Sequence, residues 1–403
     1  MLTVKTPEEA LALMLDRFPP RPVEERVPLE NALGRTLFAD MLGNEYVPGF
    51  DRSLVDGYAV RAADTFGCSD ALPAMLALDG AVEMGRPAPR PLLPGRCVAL
   101  PTGGALPPGA DAAVMVEYTE DYGDGLIGVL KPVAPGQNLI RRGEDLRPGQ
   151  VFLRAGHRLT AQDVGALAAL GFAEVPVCRP PRVGVLSTGD ELVPVAQTPA
   201  EGQVRDVNAA LLQAAATEAG AEARCFGVVP DEEALLGKAL DRVLDACDLA
   251  VLSGGSSVGQ KDAARRVLES RGEVLFHGVA MKPGKPTMLG DVGGKPVLGL
   301  PGHPAAAFFA ARLLLRPLVL RLMGASDRPA ILPAALTEAI DANHGRAQYT
   351  AVTLSREGNG WLARPIRAQS GLIVPLAGAD GYVCVPRDKE GFSAGETVGV
   401  TLM

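Results

Sequence analysis

No cationic run interrupts this 403-residue chain. Its 47 acidic residues outnumber its 39 basic ones, for a net charge of −8. Nucleic acid and anionic membrane both need a cationic footprint, so neither is an expected partner. An anionic ligand would have to find its positive charge locally. Cysteine is sparse too: Cys68, Cys97, Cys178, Cys225, Cys247 and Cys384 form no CxxC pair, and the four histidines stand apart. That argues against a zinc site or disulfide framework and for buried reduced thiols. No run of about 18 apolar residues is present to span a bilayer. The amino terminus reads as a capping box, Thr6 to Glu9, opening an apolar-periodic helix rather than as a secretory leader. The cytoplasm is the expected location.

What is abundant is glycine and proline, 47 and 34 residues spread along the chain. They mark many tight turns rather than a disordered tract. The length predicts several domains. A helix over 7–18 and mixed structure over 21–43 pair in character with 147–180, whose helical part is Ala161–Leu170; together, 1–43 and 147–180 form a scaffold. Residues 44–146 read as a β-rich insert, with short apolar runs at Arg96–Leu100, Ala112–Glu117 and Leu126–Leu130 between turns. Residues 181–325 alternate strands and helices. The strands are Arg182–Leu186, Ala223–Val229, Leu249–Leu252, Val274–Phe276 and Val297–Leu300. The helices are Ala209–Ala219, Glu232–Ala246, Ala263–Ser270 and a long one from Pro304. This predicts an α/β domain with a mostly parallel sheet. Residues 326–403 read as a small β-barrel, with strands at Ala351–Leu354, Trp361–Ala363, Gly381–Val385 and Thr397–Leu402.

In such a sheet, ligands sit beyond the carboxyl ends of the strands. The unusual loops all fall there: Ser187-Thr188-Gly189-Asp190-Glu191, Ser253 to Gly259 with Asp262, Lys282-Pro283-Gly284-Lys285-Pro286, and Leu300-Pro301-Gly302-His303-Pro304. Each alone reads most simply as a turn, a helix cap or a solvated charge. Jointly, glycines admit backbone N–H groups to phosphate oxygens, lysines add charge, and carboxylates hold Mg²⁺. These residues predict a site for a phosphorylated or oxyanionic ligand. The insert adds two acids and an aromatic in Phe50-Asp51-Arg52-Ser53-Leu54-Val55-Asp56-Gly57-Tyr58, then Thr102-Gly103-Gly104 and Arg141-Arg142-Gly143-Glu144-Asp145. Singly, each of these is a surface loop.

Seven segments in order resemble the molybdopterin molybdenumtransferase family, which includes the C-terminal domain of gephyrin. They are Asp51–Val60, Pro101–Asp111, Arg142–Asp145, Ser187–Leu192, Ser253–Gly259, Met281–Pro286 and Gly299–Pro304. The resemblance implies four domains per chain and a homodimer whose site lies between subunits. It also implies a Mg²⁺-dependent reaction of molybdate with adenylylated molybdopterin that releases AMP, and an adenylyltransferase as the partner supplying substrate. Asp56, Asp145, Glu191 and Asp262 are then candidate catalytic carboxylates, with Glu191, Asp231 and Asp262 candidate metal ligands. Thr102, Ser253, Gly254, Gly255, Ser257, Lys282, Lys285 and Ser370 are candidate substrate contacts. The chain departs from the family pattern at Ile140, His303, Ala306 and Ala351, and after Ser370 it reads Leu372-Ile373-Val374-Pro375. Two other readings are a molybdopterin adenylyltransferase or a divergent paralogue for another oxyanion, and a gephyrin-like scaffold. The first-half motifs argue against an adenylyltransferase, and no interaction tail supports a scaffold.

Overall fold

Thr6 starts the first helix as its spacing predicts. Its N–H donates to the Glu9 carboxylate at 2.9 Å, and the Glu9 N–H donates to the Thr6 hydroxyl at 3.2 Å. The helix runs Pro7–Arg17. Its apolar stripe, Ala10, Met14 and then Phe18, is buried with Val183, Leu249 and Leu318 of the α/β domain. The helix therefore belongs by packing to a domain that begins far along the chain. The structure, a computed structural model, describes residues 4–88, 90–254, 263–327, 329–342 and 345–403.

The scaffold is small. Strand Glu24–Pro28 pairs antiparallel with Glu174–Cys178, and helix Ala161–Ala169 closes a core of Val27, Leu37, Leu159, Leu167 and Val175. Between its two halves lies a six-stranded sheet. Its strand order is Ala112–Met115, Gly57–Val60, Arg96–Leu100, Ala74–Ala81, Leu126–Val129 and Thr119–Asp121. This is the β-rich insert that the short apolar runs predict.

The α/β sheet has the order Glu222–Val229, Arg182–Thr188, Leu249–Ser253, Lys295–Leu300, Met288–Val292 and Glu273–His277. The first four strands are parallel, and the last two add antiparallel. Helices Val207–Glu218, Glu233–Ala246 and Ala263–Arg271 lie within two residues of their predicted starts. The long last helix is interrupted. Pro304–Ala310 leads into a π-helical turn, Ala311–Leu315, before Arg316–Leu322. Pro317 has no N–H and would collide with the carbonyl four residues back, so a wider turn absorbs it. The Arg316 N–H accordingly reaches back to Ala311.

The carboxyl-terminal sheet closes on itself. Ala347–Glu357 pairs with Gly360–Pro365, which leads through Ile331–Leu336, Thr397–Leu402 and Gly381–Val385 back to Ala347–Glu357. Five strands thus make a barrel. A sixth segment arrives from the α/β domain: Met281 and Lys282 pair in parallel with Ala347 and Gln348. No helix among the described residues is long and apolar enough to cross a membrane. All six cysteines are free thiols.

Candidate functional site

A cleft of about 1210 Å³ opens between the strand ends of the α/β sheet and the barrel. One wall is the turn after Arg182–Thr188, carrying Asp190 and Glu191, with Asp231 beside it. Lys282 and Lys285, on the segment that crosses into the barrel, line it too, with Asp341, Arg346 and Arg367 from the barrel itself. Its apolar lining is Ala305, Ala306, Phe309 and Ala351. Carboxylates and cations in one cavity suit a ligand that is anionic and complexes a metal.

Several buried polar atoms here lack a partner among the described residues: Ser187 Oγ, Thr188 Oγ1, Asn208 Oδ1, Asp231 Oδ1 and Gln348 Oε1. Burying such a group unsatisfied costs about 1–3 kcal/mol. Thr188, Asp231 and Gln348 line the cleft, where a ligand, an ion or water would complete them. Asn208 does a different job. Its amide donates to Ser253 Oγ at 2.9 Å and to the carbonyls of Pro301 and Gly302 at 3.3 and 2.8 Å. One side chain thereby fixes two rim loops.

Glu191, Asp231, Gly254, Lys282, Lys285 and Ser370 all line the cleft. Ser253 does not; it is buried, and its hydroxyl accepts from Asn208. Its expected contact with substrate is replaced by a supporting role. Nor is the Gly254 N–H aimed at an anion, since it donates to Leu300 at 3.3 Å. Gly255, Ser257 and Asp262 lie outside the described residues. Sequence reasoning overlooked Arg346, Gln348, Arg367 and Asn208. Only Asn208 left a signal, as the second residue of a helix beside the strand ends.

Gly254 itself must be glycine. Its φ is +97°, and a Cβ would lie 2.1 Å from the Thr188 carbonyl oxygen. Gly254→Ala is expected to cost about 1–3 kcal/mol from backbone strain alone, seen as a lower denaturant midpoint. An unchanged midpoint would show that the turn can relax.

The first-half motifs gather elsewhere, at one end of the insert sheet. The Thr102 N–H donates to Asp56 Oδ1 at 2.8 Å. Asp51 accepts from the Arg141 side chain at 2.8 Å and from the Arg142 N–H at 2.7 Å. Those bonds hold the Asp51 carboxyl below its usual range against the opposing effect of burial. The Asp145 N–H donates to Val47 at 3.0 Å. Asp56 and Thr102 are thus bonded together, while Asp145 lies on the loop that Arg141 and Arg142 fasten to Asp51; Asp56 and Asp145 are exposed, and none of the three lines the cleft of its own chain.

Three family models cover nearly the whole sequence: the MoeA N-terminal region (domain I and II) at residues 5–171, a probable molybdopterin binding domain at 184–321, and the MoeA C-terminal region (domain IV) at 333–403. The molybdopterin molybdenumtransferase of Bacillus subtilis is 32% identical over 94% of this chain and 90% of its own. That of Haemophilus influenzae is 33% identical over 99% and 98%. The molybdopterin biosynthesis MoeA protein of Pyrococcus horikoshii OT3 has a similar structure, with a TM-score of 0.89, 33% identity and 100% of both chains covered.

Proposed function

Since the chain belongs to the molybdopterin molybdenumtransferase family, we propose that it is a transferase of molybdenum cofactor synthesis. It inserts molybdate into adenylylated molybdopterin and releases AMP. The stoichiometry closes: exchange of two thiols for one oxo group liberates a water, and splitting the phosphoanhydride consumes one. The observation that carries this reading is the cleft's lining, in which Lys282 and Lys285 share one cavity with Glu191 and with Asp231, whose buried Oδ1 is orphaned. Two anions must be brought together there, and Lys282 and Lys285 would offset their repulsion. A coupled assay of adenylylated molybdopterin with molybdate, reading AMP and active cofactor, tests it. AMP release indifferent to molybdate would overturn it.

Mg²⁺ suits the cleft's carboxylates. Among the described residues no three acids, histidines or cysteines form a metal cage. Magnesium, however, is commonly held by one or two carboxylates plus substrate phosphates. Glu191 and Asp231 supply two oxygen donors, one of them buried and unpartnered; Asp262 is a third by motif. When bound, the ion would draw charge from the phosphoanhydride. Glu191→Gln and Asp231→Asn are each expected to raise the Mg²⁺ needed for half-maximal AMP release about tenfold, roughly 1.4 kcal/mol. Turnover should return at high Mg²⁺. Metal titrations matching wild type in both variants would move the ion elsewhere.

That the insert motifs line no part of their own chain's cleft supports a homodimer with shared sites. The reading extends to a cytoplasmic enzyme fed by an adenylyltransferase.

A further inference from the structure

His303 stands at the start of the helix Pro304–Ala310, where a side chain commonly caps the exposed N–H groups. It makes no capping bond. Its Nδ1 instead lies 2.8 Å from the hydroxyl of Ser370, on the segment that follows the barrel strand Gly360–Pro365. That segment is already fastened to the helix, because the Ala305 N–H donates to the Ser370 carbonyl at 3.0 Å. The ring is therefore not needed to hold the segment in place. Both residues line the cleft, as do Lys282, Lys285, Ala306 and Ala351.

A serine hydroxyl has one proton to donate and two lone pairs. Against a neutral imidazole whose Nδ1 is the acceptor, Ser370 must donate to His303, and it offers the cleft only lone pairs. Against an imidazolium, Nδ1–H donates to Ser370, and the hydroxyl proton is free to point at a ligand oxygen. The ring at the same time adds a positive charge. We propose that His303 is a specificity-determining residue of the cleft, a proton-dependent switch that makes Ser370 a hydrogen-bond donor to a tetrahedral oxyanion. This rests on the reading of Lys282 and Lys285 as the groups that bind molybdate.

Charged groups of the same cleft come from every element around it. Lys282 and Lys285 belong to the crossing segment, Arg367 to the Ser370 segment, where it pairs with Glu338 at 3.2 Å, and Asp341 and Arg346 to the barrel. Asp190, Glu191 and Asp231 line the cleft from the α/β domain. Carboxylate, ammonium and guanidinium groups ordinarily keep one charge state across neutral pH, whereas histidine is the residue type that changes there. Anion binding through this switch takes up as much as one proton, so affinity can change by up to about tenfold per pH unit.

The test is molybdate alone, titrated calorimetrically into the full-length chain at pH 6.5, 7.5 and 8.5, where dilute molybdate remains a dianion. Wild type is expected to bind at least about fivefold tighter at pH 6.5 than at 8.5. His303→Asn should bind with little pH dependence. Ser370→Ala should weaken binding at pH 6.5 and leave pH 8.5 nearly unchanged, a split that a purely structural role would not give. A pH slope retained in His303→Asn, or absent from wild type, overturns the switch while leaving the anion site standing. No saturable binding by wild type at any pH removes the anion site and the switch together. Circular dichroism of both variants confirms their fold.

Discussion

Molybdate-dependent AMP release by the Lys282→Ala, Lys285→Ala double variant is expected to fall by at least ten- to a hundredfold, while its melting temperature hardly moves. Neither lysine has an ion-pair partner among the described residues, yet both line the cleft. An exposed surface charge is worth at most about 1 kcal/mol. A charge-assisted hydrogen bond to a bound oxyanion is worth about 1.5–3 kcal/mol, which is the ten- to hundredfold range. The apolar lining contributes no hydrogen-bonding side chain at Ala306 or Ala351, so the anion depends on other groups of the cleft. The defect should be partly relieved at high molybdate, because lost binding is recovered by mass action. Unchanged turnover and unchanged half-saturation for molybdate would sink the anion-site assignment.

At a Mg²⁺ concentration too low to support the cleft variant, mixing two variants that are each nearly silent there is expected to recover about one quarter of wild-type activity. In one chain Asp56 becomes Asn; in the other Glu191 becomes Gln. If each site joins the insert of one subunit to the cleft of its partner, a mixed dimer of twofold symmetry holds one intact site and one doubly broken site. Random exchange makes about half the dimers mixed, and half their sites work. A second pairing, Glu191→Gln with Lys282→Ala, should recover nothing, because both changes fall on the same cleft. Exchange is verified with two differently tagged chains. No gain from the first pairing once exchange is complete would place the site within one chain and leave Asp56 in its surface turn.

The βαβ alternation was legible because helices such as Glu233–Ala246 carry a 3.6-residue stripe, here Leu236, Leu240, Val243 and Leu244, and its parallel strands are continuous apolar runs, as in Leu249–Ser253, buried at every position. Met288–Val292 was not. Its Met-Leu-Gly-Asp-Val is nearly all buried without alternation, so periodicity alone gives it no face. The Gly293-Gly294 pair, with φ of +60° and +81°, was the available signal for the hairpin it forms with Lys295–Leu300. Ile331–Leu336 hid behind Pro333, which ordinarily argues against an interior strand. At the site, the loops between strands and helices were readable as motifs. The barrel's share, Arg346, Gln348 and Arg367, was not, because no local pattern reveals which strand edge will face another domain. Ser253 was misread for a related reason: a motif gives a residue's neighbourhood but not which way its hydroxyl turns.

The crossing of Met281 and Lys282 into the barrel sheet has a mechanical consequence. The barrel meets the α/β domain through the connection after Leu322, through this short ladder, through the Ala305 bond to the Ser370 carbonyl, and through a shared core in which Phe309 packs on Tyr349 and Tyr382. Attachments spread over so many points leave no single line about which the barrel can swing. Lys282 is itself a rung of the ladder and Lys285 lies three residues beyond it. The charge that would grip an oxyanion is therefore registered to both halves at once.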